Sequence, residues 1–200
     1  DWYRQEFPQR RVTITKPFWL GKTEVTQAQW EAVMGGKPSN FAGRPENPVE
    51  QVSTTDCRQF HKKLSARSER AFRLPTEAEW EYACRAGAAT EFFYGDDKGA
   101  LDDYAWHYFN AKGSTHQVAQ KKPNAWGLHD MAGNVFEWCT DWLGTDVPAT
   151  QADPRGPESN GIRAIRGGSW LCIDRGRFRN AFHLPNGTTD RHSIKGFRSC

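Results

Sequence analysis

Three stretches in the first half of the chain have the hydrophobic spacing and the capping residues of helices. Each begins at a Ser or Thr that can accept hydrogen bonds from the free N–H groups of a first helical turn. The second stretch also repeats apolar residues at intervals of three and four, which places them on one helical face. The stretches are TQAQWEAVMG at 26–35, STTDCRQFHKKLSARSER at 53–70 and TEAEWEYACRAG at 76–87. The pattern predicts three helices, the first ending at Gly35 and Gly36.

The remaining pattern predicts strands and ordered loops. The segment 10–25, RRVTITKPFWLGKTEV, alternates in hydrophobicity and is rich in β-branched residues, as paired strands are. After about residue 88 the composition shifts to Gly, Asn, Asp, Pro and aromatic residues, which is typical of loops and short strands. Because Trp, Tyr and Phe are interleaved with the loop residues, we expect these loops to be pinned to a core.

Tryptophan is unusually frequent, with nine in 200 residues. Such large side chains stabilise a fold when they are buried and their indole N–H groups find partners. We expect the five that lie in regular motifs to be core residues. They are Trp30, Trp80, Trp126, Trp138 and Trp170.

Composition narrows the class of protein. A chain of 200 residues in which apolar, charged and Gly/Pro residues occur along the whole length gives no sign of a second domain, so we predict one domain over residues 1–200. A net charge of +3, from 27 basic and 24 acidic side chains, does not indicate nucleic acid, and no apolar run is long enough for a membrane helix. Five scattered cysteines without a C-x-x-C pair favour a reducing compartment. We expect a monomer in the cytoplasm, or display at the cell surface if an upstream segment was removed.

Five motifs follow one another in the order EVTQAQW, RLPTEAEWEYACRAG, PNAWGLHDMAGNVFEW, RGGSW and GFR. Together they resemble the formylglycine-generating-enzyme family of sulfatase-modifying factors, over residues 12–198. The resemblance implies an α+β C-type lectin fold of the formylglycine-generating-enzyme type. Such a fold is rich in loops, with a small twisted antiparallel sheet and a few helices.

The oxidising members of this family hold copper(I) between two cysteines that follow RGGSW, since copper(I) favours sulfur ligands. Cys172 stands at the position of the first cysteine, but Arg177 stands at the position of the second. One thiolate does not make the two-sulfur site. We therefore expect no copper and no catalytic residues, with a copper-dependent cysteine oxidase, or another enzyme of the same fold acting on a peptide or small molecule, as the alternative.

The family also often binds calcium at the motif GNVFEW. The side-chain oxygens of Asn134 and Glu137, with the backbone carbonyl of Val135 between them, are the kind of ligands that calcium takes. In the alternative interpretation, Asn134 and Glu137 hydrogen-bond to neighbouring loops without a metal. The sequence leaves both open.

Residues 171–194, LCIDRGRFRNAFHLPNGTTDRHSI, contain no Trp, Met, Glu, Gln or Lys. These types make up 41 of the 170 residues before the segment, so chance absence is on the order of one in several hundred. Codons that end in a pyrimidine cannot encode these types. The segment is similar to those of variable proteins of diversity-generating retroelements, in which a reverse transcriptase randomises template adenines and replaces a segment near the C-terminus.

The resemblance implies a display protein whose variable side chains bind an unknown ligand, a protein or another macromolecule. Dissimilar side chains without a period of 2 or 3.6 are expected where they face outward. Arg179, Ala181 and Pro185 are interpreted as scaffold. An ordinary C-terminus without a selected ligand and an interaction domain of a larger protein remain alternatives. The predicted ligand-binding residues are Leu171, Cys172, Asp174, Arg175, Arg177, Phe178, Phe182, His183, Leu184, Asn186, Gly187, Thr188, Asp190, His192 and Ser193.

Overall fold

The computed structural model of the chain describes residue 6 and residues 9–144, 150–157 and 161–200. Helices dominate the first half of this part and strands the second, so the architecture is α+β. The helices are α1 (Gln27–Met34), α2 (Thr54–Ser68), α3 (Glu77–Arg85) and α4 (Leu101–Tyr104). The strands are β1 (Arg11–Thr13), β2 (Phe136–Trp142), β3 (Thr150–Ala152), β4 (Ile162–Arg166), β5 (His183–Gly187) and β6 (Lys195–Gly196). Short 3-10 turns cover Lys98–Ala100 and Arg175–Phe178.

The three predicted helices are confirmed, together with their capping. At the start of α1, the Thr26 hydroxyl accepts from the Gln29 N–H at 3.2 Å, and the Gln29 side chain accepts from the Thr26 N–H at 3.0 Å. The same reciprocal pair of hydrogen bonds opens α2 at Ser53 and α3 at Thr76. Helix α1 ends where Gly35 takes a φ of 79°, which a residue with a side chain rarely adopts.

The central sheet has the strand order β5-β4-β2-β6. Strand β4 is antiparallel to both β2 and β5, whereas β2 and β6 are parallel. Strand β5 forms one edge of this sheet and lies within the segment of restricted composition. Strand β6, at the opposite edge, follows directly after that segment. The segment therefore passes from one edge of the sheet to the other.

The prediction of paired strands over 10–25 is wrong for most of its length. Only β1 forms, and it pairs in parallel with β3 rather than with a neighbouring strand. The chain beyond β1 hydrogen-bonds to the C-terminal residues instead. The Gly21 N–H donates to the Ser199 carbonyl at 2.7 Å, and the Val25 N–H donates to the Phe197 carbonyl at 2.9 Å. The N–H groups of Gly21 and Val25 are therefore not available to pair with a second strand of a hairpin.

Four of the five predicted core tryptophans are buried: Trp30, Trp80, Trp138 and Trp170. The prediction is wrong for Trp126, whose side chain is 50% exposed. Its ring meets only the edge of Tyr82 in the described aromatic contacts, at 5.1 Å between centroids. Trp126 lies in a turn, directly before Gly127, whose φ is 79°.

The described parts of the loops after residue 88 place aromatic and other apolar side chains in the core, as expected. Phe92, Phe93 and Leu101 join the hydrophobic core, and Met131 and Ala132 join it ahead of β2. The loops are therefore pinned by side chains rather than by regular backbone pairing. None of the helices in the described ranges is both long and apolar enough to cross a membrane.

Candidate functional site

The segment 171–194 is held at both ends by buried residues. Before it, Gly168 has a φ of 78°, and a Cβ there would lie 2.6 Å from the ring of Phe178, so only glycine allows the close approach. The Trp170 indole donates to the Ser193 carbonyl at 2.9 Å and so joins the two ends of the segment. After it, Phe197 and Arg198 are fully buried. The RGGSW and GFR motifs thus form a rigid frame.

The first half of the segment consists of exposed residues followed by a short 3-10 turn. Leu171 and Ile173 are 42% and 60% exposed. The Asp174 side chain then caps the 3-10 turn by accepting from the Gly176 N–H at 2.8 Å. Arg175 donates to the Lys98 carbonyl at 2.9 Å, which connects this turn to the 3-10 turn Lys98–Ala100 before α4.

The second half crosses from strand β5 to the N-terminus of α2. The Thr54 N–H donates to the Thr188 carbonyl at 3.2 Å, and the Gln51 N–H donates to the His192 carbonyl at 3.1 Å. The Arg191 guanidinium pairs with Asp56 at 2.7 Å on the surface. The backbone of this loop is therefore fixed by contacts that do not depend on most of its side chains.

The expectation that the variable side chains face outward is wrong for four residues. Cys172, Phe178, Phe182 and Leu184 are between 2% and 9% exposed and join the hydrophobic core. Phe178 turns inward onto Gly168, and Leu184 pairs with Ile165 across β4 and β5 on the inner side of the sheet. These side chains support the surface and are not available to a ligand as they are placed.

The other predicted ligand-binding residues lie at the surface or partly exposed. Several of them also contact the rest of the fold: for example, His183 Nδ1 lies 2.8 Å from Glu77 Oε1, Asn186 accepts from Lys195, and Asp190 lies 3.5 Å from the Lys195 ammonium. The exposed members are Leu171, Asp174, Arg175, Asp190 and His192, and the partly exposed members are Arg177, His183, Asn186, Gly187, Thr188 and Ser193. Whether they bind a ligand stays a prediction.

Four exposed residues of the same segment lie outside the predicted set: Pro185, which was interpreted as scaffold, and Ile173, Thr189 and Arg191, which were missed. Their membership of the segment with restricted composition was the available signal. The scaffold interpretation of Arg179 agrees with its contacts, since its guanidinium pairs with Glu6 at 2.6 Å.

Cys172 lies in surroundings that suit a protonated thiol. Burial raises the pKa of the thiol above its usual value, although Ser169 and Arg177 counteract part of the rise. Its sulfur lies 3.5 Å from the Ser169 hydroxyl. All five cysteines of the chain are free thiols, and no group of three or more His, Cys, Asp or Glu side chains in the described ranges forms a metal-binding arrangement.

The proposed calcium ligands Asn134 and Glu137 point into different polar networks. The Asn134 side chain accepts from the His116 N–H at 3.0 Å and donates to Glu24 at 2.8 Å. The Glu137 carboxylate accepts from the Trp80 indole at 2.7 Å and from Arg198 at 2.7 and 2.6 Å. Both side chains thus have hydrogen-bond partners within the protein, and calcium binding by Asn134, the Val135 carbonyl and Glu137 stays a prediction.

The surroundings of Glu137 contain three buried carboxyl groups and the buried guanidinium of Arg198, which balances the charge of one of them. Glu24, Asp130 and Glu137 are at most 2% exposed, and Arg198 pairs only with Glu137. Burial, followed by the charges of Asp130 and Glu137, raises the pKa of Glu24 well above its usual range, and burial raises that of Asp130. One oxygen of Asp130 is buried without a hydrogen-bond partner. Protonation of the carboxylates or a bound divalent cation would neutralise this charge. To hold a cation, Glu24 and Asp130 would have to move, since the side chains as placed form no metal-binding arrangement.

Comparisons with known proteins agree with this fold. The model of the sulfatase-modifying factor enzyme 1-like domain matches residues 2–200. The formylglycine-generating enzyme of Streptomyces coelicolor is 36% identical over 198 residues, which cover 91% of this chain but 60% of that enzyme. The chain therefore spans less than two thirds of that relative.

Among solved structures, variable protein 1 of Treponema denticola is similar with a TM-score of 0.85 and 32% identity, over 90% of this chain and 82% of that one. PvdO from Pseudomonas aeruginosa is similar with a TM-score of 0.80 and 28% identity, over 94% of this chain and 81% of that one. The predicted fold class and the resemblance to variable proteins are confirmed. By its motifs, its architecture and the match over nearly its whole length, the chain belongs to the family of sulfatase-modifying factor enzyme 1-like domains.

Proposed function

We propose that this chain is a ligand-binding display protein whose C-terminal segment, residues 171–194, is diversified by a retroelement. The observation that carries the proposal is that a segment of restricted composition is held between two buried motifs and exposes side chains between them. The frame fixes the backbone, so exchanging exposed side chains alters the surface without altering the fold. The similarity to a variable protein of Treponema denticola supports the same function.

The exposed side chains have the chemistry of an adaptable recognition surface. Leu171 and Ile173 supply apolar contact area, while Asp174, Arg175 and His192 supply directional hydrogen bonds and charge. Apolar anchors surrounded by polar groups are the arrangement found at binding hot spots. The ligand is proposed to be a protein or another macromolecule, because exposed side chains are spread along much of residues 171–194 and offer a broad contact surface.

Diversification is tested by sequencing the DNA beside the gene. We expect a near-copy of the region that encodes residues 171–194, differing from it at adenines, next to a gene for a reverse transcriptase. A gene with no such copy in a complete genome would contradict the diversification, while leaving a fixed ligand-binding role to be tested by binding.

Catalysis by copper-dependent cysteine oxidation is the rival function. Because Cys172 is a single buried thiol with Arg177 beside it, we expect no tightly held copper(I) and no thiol-dependent oxygen uptake. Anaerobic copper(I) titration against a competing chelator measures the first, and an oxygen electrode the second. One tightly bound copper per chain that disappears in Cys172→Ser would support the enzyme instead.

The exposed positions of the segment should tolerate joint replacement. The combined variant Leu171→Ser, Ile173→Ser, Thr189→Ser and His192→Ser is expected to lose at most about 2 kcal/mol of unfolding free energy, since surface changes cost about 0.5 kcal/mol each. Urea denaturation followed by circular dichroism provides the measurement. The matched control, Phe178→Ser with Phe182→Ser, changes only two residues of the same segment but removes buried rings, so it is expected to unfold. Equal stability of the two variants would mean that the surface is misassigned.

Calcium is proposed to bind among Glu24, Asp130 and Glu137, where it would balance the buried charge that Arg198 leaves. The ion would supply positive charge only, and the carboxylates would turn toward it from their present partners. Its expected effect is a higher melting temperature in millimolar calcium than in excess chelator, by about 5 °C or more for a site that is well saturated.

The calcium effect should disappear in Asp130→Asn and persist in Asp103→Asn, which changes an exposed carboxylate instead. Differential scanning calorimetry with calcium, magnesium and chelator separates the contributions. A melting temperature that is the same with calcium and with chelator would show that protons on the carboxylates balance the charge.

A further inference from the structure

Exposed aromatic side chains lie directly beside the segment 171–194 but outside it. Tyr108 and Phe109 are 50% and 69% exposed, and their rings meet edge to face at 5.4 Å between centroids. The Tyr108 N–H donates to the Cys172 carbonyl at 3.2 Å. This bond joins the aromatic pair to the backbone between Leu171 and Ile173, two further exposed apolar residues. The four side chains thus extend from two adjoining stretches of backbone.

The turn that carries the aromatic pair is rigid. The Asn110 side chain accepts from the His107 N–H at 2.8 Å and donates to the Ala105 carbonyl at 3.0 Å. The Ala111 N–H donates to the His107 carbonyl at 2.8 Å. His107 itself is buried, with its ring 6.0 Å from that of Phe178. A ligand that contacts the aromatic pair would therefore not have to order this backbone, which lowers the entropic cost of binding.

Neither aromatic side chain has a role in the hydrophobic core. The core contains neither Tyr108 nor Phe109, whereas neighbouring Ala105 belongs to it. Exposed apolar side chains that stand close together mark interaction sites more often than isolated ones do. Because residues 108 and 109 precede the segment 171–194, diversification of that segment leaves them unchanged.

We propose that Tyr108 and Phe109 are a constant anchor that contacts the apolar surface of protein ligands, whichever side chains the variable segment displays. This inference rests on the proposed display function. The partner is a protein because two large apolar rings beside Leu171 and Ile173, with charged Asp174 and Arg175 next to them, match the apolar centre and polar surround of protein interfaces. The constant pair supplies contact area, and the variable residues supply specificity.

The test uses binders selected on this scaffold. Positions 171, 173, 174, 175, 189 and 192 are randomised together in the full chain, and the library is displayed on yeast and selected against hen egg lysozyme as the probe. Several independent binders are then combined with Tyr108→Ser and Phe109→Ser. The control is Trp19→Ser, which removes an aromatic side chain that is 89% exposed. Circular dichroism and melting temperature verify that each variant is folded.

We expect the double substitution to raise Kd by about tenfold or more in most binders, and the control substitution to leave Kd within about twofold. If most binders that carry the double substitution remain folded and lose less than tenfold in affinity, the constant anchor is wrong, but the display function stands. A library that yields no binders would count against the display function itself. The two failures are therefore distinguishable.

Discussion

Replacing Trp138 by Ala is expected to lower the free energy of unfolding by about 3 to 5 kcal/mol, as large aromatic deletions from packed cores do. Trp138 is fully buried on β2, opposite Ile165 on β4. Its indole donates to the Val52 carbonyl at 2.9 Å. Truncation would thus leave both a large cavity and a buried carbonyl without its donor. Urea denaturation followed by far-UV circular dichroism measures the loss of stability.

The matched control for Trp138 is Trp126→Ala, because the same residue type is half exposed there. That variant is expected to lose about 1 kcal/mol or less. If Trp138→Ala melted within a degree or two of the unchanged protein, the packing of the central sheet described above would be wrong. A large loss in Trp126→Ala would instead show that the indole is covered in solution.

Arg198→Met is expected to destabilise the protein by about 3 to 5 kcal/mol, since removing one partner of a buried ion pair leaves the other charge uncompensated. Arg198 and Glu137 are both fully buried, and the guanidinium binds the carboxylate through two nitrogens at 2.7 and 2.6 Å. Arg198 also donates to the carbonyls of Gly21 and His129, at 2.9 Å each. The change would therefore loosen three segments that meet at the end of the chain.

Further variants separate the effect of the lost charge in Arg198→Met from the effect of altered packing. Denaturation is measured in excess chelator, so that a bound ion does not contribute. The double variant Glu137→Gln with Arg198→Met removes the unpaired charge and is expected to recover part of the loss. Lys122→Met removes an exposed pair with Asp103, also 2.7 Å long, and is expected to cost less than about 0.5 kcal/mol. Equal losses for the buried and the exposed pair would contradict the assignment.

Features that depend on close neighbours in the chain could be predicted from the sequence. The capping of α1 requires only Thr26 and Gln29, three residues apart, and the end of the helix requires only a residue that accepts a positive φ at Gly35. The motifs from EVTQAQW to GFR also carried the family resemblance. The strand prediction over 10–25 failed because its hydrogen-bond partners come from the C-terminus, which no local pattern reveals.

Side-chain burial within the variable segment was decided by tertiary contacts. Its composition sets residues 171–194 apart from the rest of the chain, and Leu171 and Asp174 are exposed as expected. Phe178 and Leu184 are buried because Gly168 and strand β4 lie against them, and both contacts join residues brought together by folding. The alternation around Leu184, with Pro185 exposed after it, was a local signal of strand β5 that could have been used.

The sequence by itself determined the helices with their caps, the family and the location of the segment with restricted composition. Each of these depends on residue identity within a short window or on the order of motifs. Only the tertiary structure decided that Trp126 is exposed while Trp138 is buried, and that Glu137 meets Arg198 from 61 residues away. Burial and ion pairing depend on which distant surfaces come into contact, so identical residue types receive opposite environments.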